Sequence, residues 1–138
     1  MDTTTFGSVE MQILFCAIAL GIVQLVLSAT ASVLGRGLPW GTGPRDDGRP
    51  PLGKIGGRLE RAYENFIETF PFFAAAVLLA HALGKSTPHS VLGAQIYIWA
   101  RLLYVPAYVF AIPLLRTLFW AAALVGIVMV MTAMCPGM

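Results

Sequence analysis

Residues 11–34 read MQILFCAIALGIVQLVLSATASVL, a stretch without a single Asp, Glu, Lys or Arg. A helix needs about 20 predominantly apolar residues to cross the hydrocarbon core of a bilayer, so this stretch predicts a membrane-spanning helix. Three more stretches follow the same rule. One is apolar from Phe66 to Leu83, with a helical pattern that opens upstream at Arg58. Another runs from Val91 to Phe110 around Arg101, and the last from Leu115 to Met134. Spans are therefore predicted at about 11–34, 58–83, 91–110 and 115–134. Lipid offers no partner to bare backbone groups, so such segments cross as helices. The fold class expected is all-α: an integral membrane four-helix bundle, left-handed and antiparallel, with residues 1–138 as one domain.

Composition agrees with that reading. The 138 residues are 57% hydrophobic and only 12% charged, with a mean hydropathy of +0.75. A soluble domain carries about 25% charged residues. The net charge of +2 is too small and too clustered for a nucleic-acid binder, so no nucleic-acid partner is expected. Cys16 and Cys135 show neither metal spacing nor a redox pair, and His81 and His89 read as polar edge residues rather than metal ligands.

The links order the helices. Gly84–Ser90 and Ala111–Leu114 are short, which predicts antiparallel neighbours on either side of each. The longer link, Gly35–Gly57, is rich in Gly and Pro and reads as a polar hairpin loop. Arg36, Arg45, Arg49, Lys54, Arg58 and Arg61 cluster at this link and Arg116 at the third, against Lys85 alone on the other side. That excess places the first and third links in the cytoplasm and both termini on the non-cytoplasmic side. The segment ahead of Met11 holds Asp2 and Glu10 and no positive residue, so the first helix reads as retained rather than as a cleaved signal.

Charge within a span is costly and each instance needs a partner or a wet cavity. On the second helix Arg58, Arg61, Asn65 and Glu68 share one stripe at 3.6 residues per turn. On the third, Tyr97, Arg101, Tyr104 and Tyr108 share a face, and Arg116, Thr117 and Trp120 open the fourth. Glu68 and Arg101 lie at matched depth, which predicts a buried ion pair. Arg58, Arg61, Asn65 and Arg116 then ring a basic recess above it, suited to a small polar anion with lipid tails alongside. Taken singly, the arginines could equally be anchors for lipid phosphates and the aromatics an interfacial belt. The joint stripe favours a site.

Residues 61–71, RAYENFIETFP, resemble the signature R-A-x-x-N-x-x-E-x-x-P of the membrane-associated proteins in eicosanoid and glutathione metabolism, the MAPEG superfamily. Residues 101–108, RLLYVPAY, are similar to that family's helix-three pattern, and Pro44-Arg45-Asp46-Asp47 ahead of Gly56-Gly57-Arg58 resembles the loop of its bacterial members. The resemblance implies a homotrimer in a bacterial inner membrane, binding glutathione as co-substrate between subunits near the cytoplasmic face. It implies that Arg61, Asn65, Glu68 and Tyr108 hold glutathione, that Arg101 structures the core beside the carboxylate, and that Arg36 joins from the end of helix one. Arg116 and Thr117 would face the thiol as the catalytic pair. Two residues depart from the pattern of active eukaryotic members: Glu64 stands where a second arginine is common, and Trp120 where a tyrosine is found. Glu64 is expected to weaken binding of an anionic tripeptide.

Two functions of different class follow. The first is a glutathione transferase or glutathione-dependent peroxidase acting on an apolar small molecule dissolved in the membrane. The second is a non-catalytic trimer that binds membrane lipid or another membrane complex, with the arginines on phosphate head groups.

Overall fold

A computed structural model describes residues 3–135; Asp2, counted above in the N-terminal charge, and residues 136–138 of the expected domain lie outside it. Among the described residues the chain is helical with no strand: α1 (Thr3–Arg36), α2 (Leu38–Thr42), α3 (Lys54–Ala82), α4 (Pro88–Val109) and α5 (Pro113–Thr132). The four long helices contain the four predicted spans to within a few residues. Three of them are long and apolar enough to cross a membrane: Thr4–Arg36, Lys54–Ala82 and Pro113–Thr132. Helix α4 is long enough at 22 residues but less apolar, because Gln95, Tyr97, Arg101, Tyr104 and Tyr108 interrupt it.

Two boundaries differ from expectation for physical reasons. Helix α1 begins eight residues before Met11, at Thr3, and runs straight through Glu10. The carboxylate does not end the helix because it is fully buried and accepts hydrogen bonds from Ser86 Oγ at 2.6 Å and from Ser90 Oγ. Those serines sit at the start of α4, where Thr87 and Ser90 form a reciprocal capping box. The second difference lies in the first link, which is not a bare loop. It holds the short helix α2, and Trp40 from it lies against the Arg36 guanidinium, 4.8 Å from the ring centroid.

Helices α3 and α4 form the middle of the bundle; α1 packs on both from one side and α5 on both from the other. The α4–α5 pair is the most extensive. Gly93 and Gly126 explain why: a Cβ on Gly93 would lie 2.6 Å from Gly126 O, and one on Gly126 would lie 2.5 Å from Gly93 O. Main chain meets main chain, the close approach that small residues permit between helices in lipid. Between α3 and α4 the core is filled by Phe73 stacked on Tyr97, ring centroids 3.9 Å apart.

The two short links end their helices in the same way. Lys85 N–H donates to Ala80 O and Gly84 N–H to His81 O, with Gly84 at φ 62°. Ile112 N–H donates to Ala107 O and Ala111 N–H to Tyr108 O, with Ala111 at φ 58°. Both are Schellman caps, which close the helix through one left-handed residue. At the second, an alanine takes the left-handed conformation that glycine adopts freely, and α5 restarts at once on Pro113. That tight reversal sets Arg116 beside the last turn of α4.

Because Glu10 accepts from both serine hydroxyls, with the Thr87 carbonyl as a second acceptor for Ser90 alone, Glu10→Ala is expected to cost about 2–3 kcal/mol and Glu10→Gln less, since the amide keeps one acceptor. Thermal unfolding of the detergent-solubilised variants measures this. Equal losses for the two would show that the serines do not depend on the carboxylate.

Candidate functional site

The site is built on Arg101, which is 1% exposed. Its Nη1 donates to Asn65 Oδ1 at 2.8 Å and its Nη2 to Thr69 Oγ1 at 2.6 Å. Its guanidinium carbon lies 5.8 Å and 5.4 Å from the ring centroids of Tyr97 and Tyr104. The direct ion pair with Glu68 expected from matched depth is not formed. Asn65 and Thr69 are one turn apart and share the face toward α4, whereas Glu68 points about 60° away from Asn65 around the helix. Glu68 is exposed on the single chain and accepts from Asn65 Nδ2 at 3.2 Å. Charge is thus relayed from guanidinium to carboxylate through one amide.

Above Arg101 opens a recess of about 340 Å³ lined by Asn65, Tyr104, Tyr108, Arg116, Thr117 and Trp120. Three helices supply these residues: α3 gives Asn65, α4 the two tyrosines and α5 the rest. The Arg116 guanidinium carbon sits 4.6 Å over the Tyr108 ring. Its Nε is buried with no hydrogen-bond partner among the described residues. From the other side, Arg61 Nε donates to the Tyr108 hydroxyl at 3.2 Å. Tyr108 is therefore flanked by two cations, one of them with a donor unused. Such a recess holds an anion or a polarisable nucleophile, since two guanidinium groups stabilise negative charge between them.

Of the residues singled out in the sequence, Asn65, Tyr108, Arg116 and Thr117 line the recess, Arg61 braces it and Arg101 lies at its base beside Asn65. Glu68 stands at its edge through Asn65.

Arg36 does not line this recess on the single chain. Its side chain is 2% exposed and pairs with Glu60 at 2.8 Å and 3.0 Å, with Ser32 and the Pro50 carbonyl as further acceptors. Glu60 lies about 140° from Asn65 around α3, Ser32 is on α1 and Pro50 in the first link, so none of them was legible from spacing along α3 alone. Arg58 is also withdrawn from the expected ring, because its Nη1 caps α4 at Val109 O, 2.8 Å away. Glu64 is turned from the site as well. It accepts from Arg49 at 2.6 Å, and that bond, with the charge of Glu60, holds the Arg49 guanidinium above its ordinary pKa. Glu64 therefore does not line the recess on the single chain. Tyr104 and Thr69 are the residues the sequence reading left without a site role. The i, i+4 spacing of Thr69 from Asn65 was the available signal.

A model of the MAPEG family matches residues 13–135. No curated protein and no solved structure matches the chain.

Asn65→Val would leave Nη1 of the buried Arg101 without its Asn65 acceptor and is expected to cost about 2–4 kcal/mol, whereas Glu68→Gln preserves an acceptor for the Asn65 amide and should cost under about 1 kcal/mol. Unfolding midpoints in detergent compare the two. A Glu68→Gln loss as large as that of Asn65→Val would restore the direct ion pair.

Proposed function

This chain belongs to the MAPEG family, and on that premise we propose that it is a membrane glutathione transferase or peroxidase acting on apolar electrophiles. It works as a homotrimer of four-span subunits, α4 included, in a bacterial inner membrane. Both termini face away from the cytoplasm, and glutathione binds at the arginine-rich end between neighbouring subunits. The observation that carries the reading is the Arg116 guanidinium, set over the Tyr108 ring in a recess walled by Thr117, Tyr108 and Asn65.

Glutathione suits these residues. Its carboxylates match Arg61, whose guanidinium is exposed beyond its bond to Tyr108, and its ammonium matches Glu68. Asn65 presents an amide to its backbone. The thiol of glutathione, near pKa 8.5–9, is about 97–99% protonated at neutral pH, and the thiolate is the nucleophile. A guanidinium and a hydroxyl aimed at sulfur favour the charged form. Arg116 supplies the charge and Thr117 the hydroxyl, which in the free site donates to Pro113 O at 3.3 Å. The thiol proton leaves to water, the thiolate forms a new bond to the electrophilic atom, and the leaving group takes the electron pair of the bond that breaks. The apolar partner enters from lipid past Trp120. A second reading rests on Trp120 itself: its indole can donate one hydrogen bond but neither accepts nor ionises. On that reading the recess holds a lipid phosphate and no chemistry follows.

Calorimetric titration of the solubilised protein with reduced glutathione separates the two. Arg61→Ala is expected to weaken binding, because its contacts serve thiol and thiolate alike. Arg116→Ala should lower turnover about a hundredfold with little change in affinity, since its benefit is confined to charged sulfur. Absence of thiolate absorbance in the bound complex at neutral pH would overturn the catalytic reading.

A further inference from the structure

The seam between α1 and α4 holds a recess of about 430 Å³ that none of the polar clasps uses. On α4, Gln95, Trp99 and Leu102 face it, about 150° around the helix from Tyr104 and Tyr108. On α1, Gln12 and Cys16 lie one turn apart on the opposing row. The recess starts beside the bond from Ser90 to Glu10 and runs about 10 Å along both helices toward the middle of the bundle.

Its lining narrows what it can hold. No Asp, Glu, Lys, Arg or His borders it, so the occupant is neutral. Gln12 and Gln95 are exposed and make no hydrogen bond among the described residues. With α4 in the bilayer, as proposed above, an amide facing hydrocarbon without a partner is costly, and polar groups placed there mark binding sites. Each helix thus offers one amide N–H donor pair to the same space. Trp99 supplies a flat wall, its side chain 61% exposed. Apolar and aromatic walls with a few convergent polar groups, in a cleft of this size, are the usual make-up of a small-molecule site. A single hydroxyl would satisfy one amide and leave the other bare, and an acyl chain makes no use of the indole face. A planar ring with two carbonyl oxygens serves both amides and stacks on the indole.

We propose that this seam binds the head group of a neutral membrane quinone. Its ring lies on Trp99, its carbonyl oxygens accept from Gln12 and Gln95, and its tail leaves into lipid. The recess shares no lining residue with the one at Arg116, and the proposal stands or falls apart from the glutathione reading.

The protein carries its own reporter. Cys16 and Cys135 are both free and exposed, and only Cys16 lines the recess. Detergent-solubilised protein is labelled with N-ethylmaleimide, and the modification of each cysteine is timed by peptide mass spectrometry. The probes are decylubiquinone, whose fully substituted ring does not itself take up a thiol, and didecanoylglycerol and decanol as neutral lipids without a ring. At about ten times its dissociation constant the quinone is expected to slow labelling of Cys16 about tenfold, since only the free fraction reacts, with Cys135 unchanged. Gln12→Leu combined with Gln95→Leu, both at exposed positions, should raise the quinone concentration for half protection by about tenfold or more. The double variant is checked for an unchanged melting curve in detergent alone. Labelling of Cys16 unaffected by the quinone, or Cys16 and Cys135 slowed alike, would overturn the proposal. So would equal protection by didecanoylglycerol or decanol, or a half-protection point that the double variant leaves in place. Cys16 resistant to labelling without any additive would show the seam covered by protein and would overturn it too.

Discussion

One guanidinium in the middle of an apolar bundle governs this molecule. Arg101 cannot shed its proton, and a charged side chain at such depth costs several kcal/mol unless polar groups surround it. The protein meets that demand with neutral groups first, Asn65 and Thr69 on one face of α3, and reaches a carboxylate only through the amide. The register of α3 against α4 follows from it. So does the recess, since the same Asn65 that receives Arg101 also walls the space under Arg116.

Apolar helices gain little from contact with one another in lipid, because the tails are as apolar as the side chains. What joins α1 and α3 to the α4–α5 hairpin is polar and placed along the bundle's length. Glu10 clasps Ser86 and Ser90 at one end, Arg101 binds α3 in the interior, and Arg58 of α3 closes on the Val109 carbonyl at the end of α4 at the other. The capped reversals at Gly84 and Ala111 fix where each new helix starts. Site geometry is thus an outcome of these clasps: Arg116 faces Tyr108 because the tight α4–α5 turn sets it beside the last turn of α4.

Periodicity and hydropathy made the helices legible, and the stripe Arg61, Asn65, Glu68 together with the tyrosine face of α4 located the recess. Three things escaped that reading. Depth alone cannot tell which of two side chains one helical position apart meets a partner, so Asn65 and Thr69 were overlooked as the ligands of Arg101. Glu10 looked like tail because its serine partners lie 76 and 80 positions along the chain. The ion pairs of Arg36 with Glu60 and of Glu64 with Arg49 went unread, because they depend on how the first link folds back over α3. Pairings that close through a loop rich in Gly and Pro leave no period in the sequence.

The seam between α4 and α5 bears on how such a chain can change over generations. Where backbone rests on backbone at Gly93 and Gly126, the spacing of the two helices is set by atoms that every residue shares. Side chains on the outer surface, such as Leu92, Val125, Val128 and Met131, all exposed, have no part in it. They are free to drift among apolar types while the two glycines keep Tyr108 and Arg116 in step. Mutational tolerance in this hairpin should therefore be wide on its outside and nearly nil at two positions that carry no side chain at all.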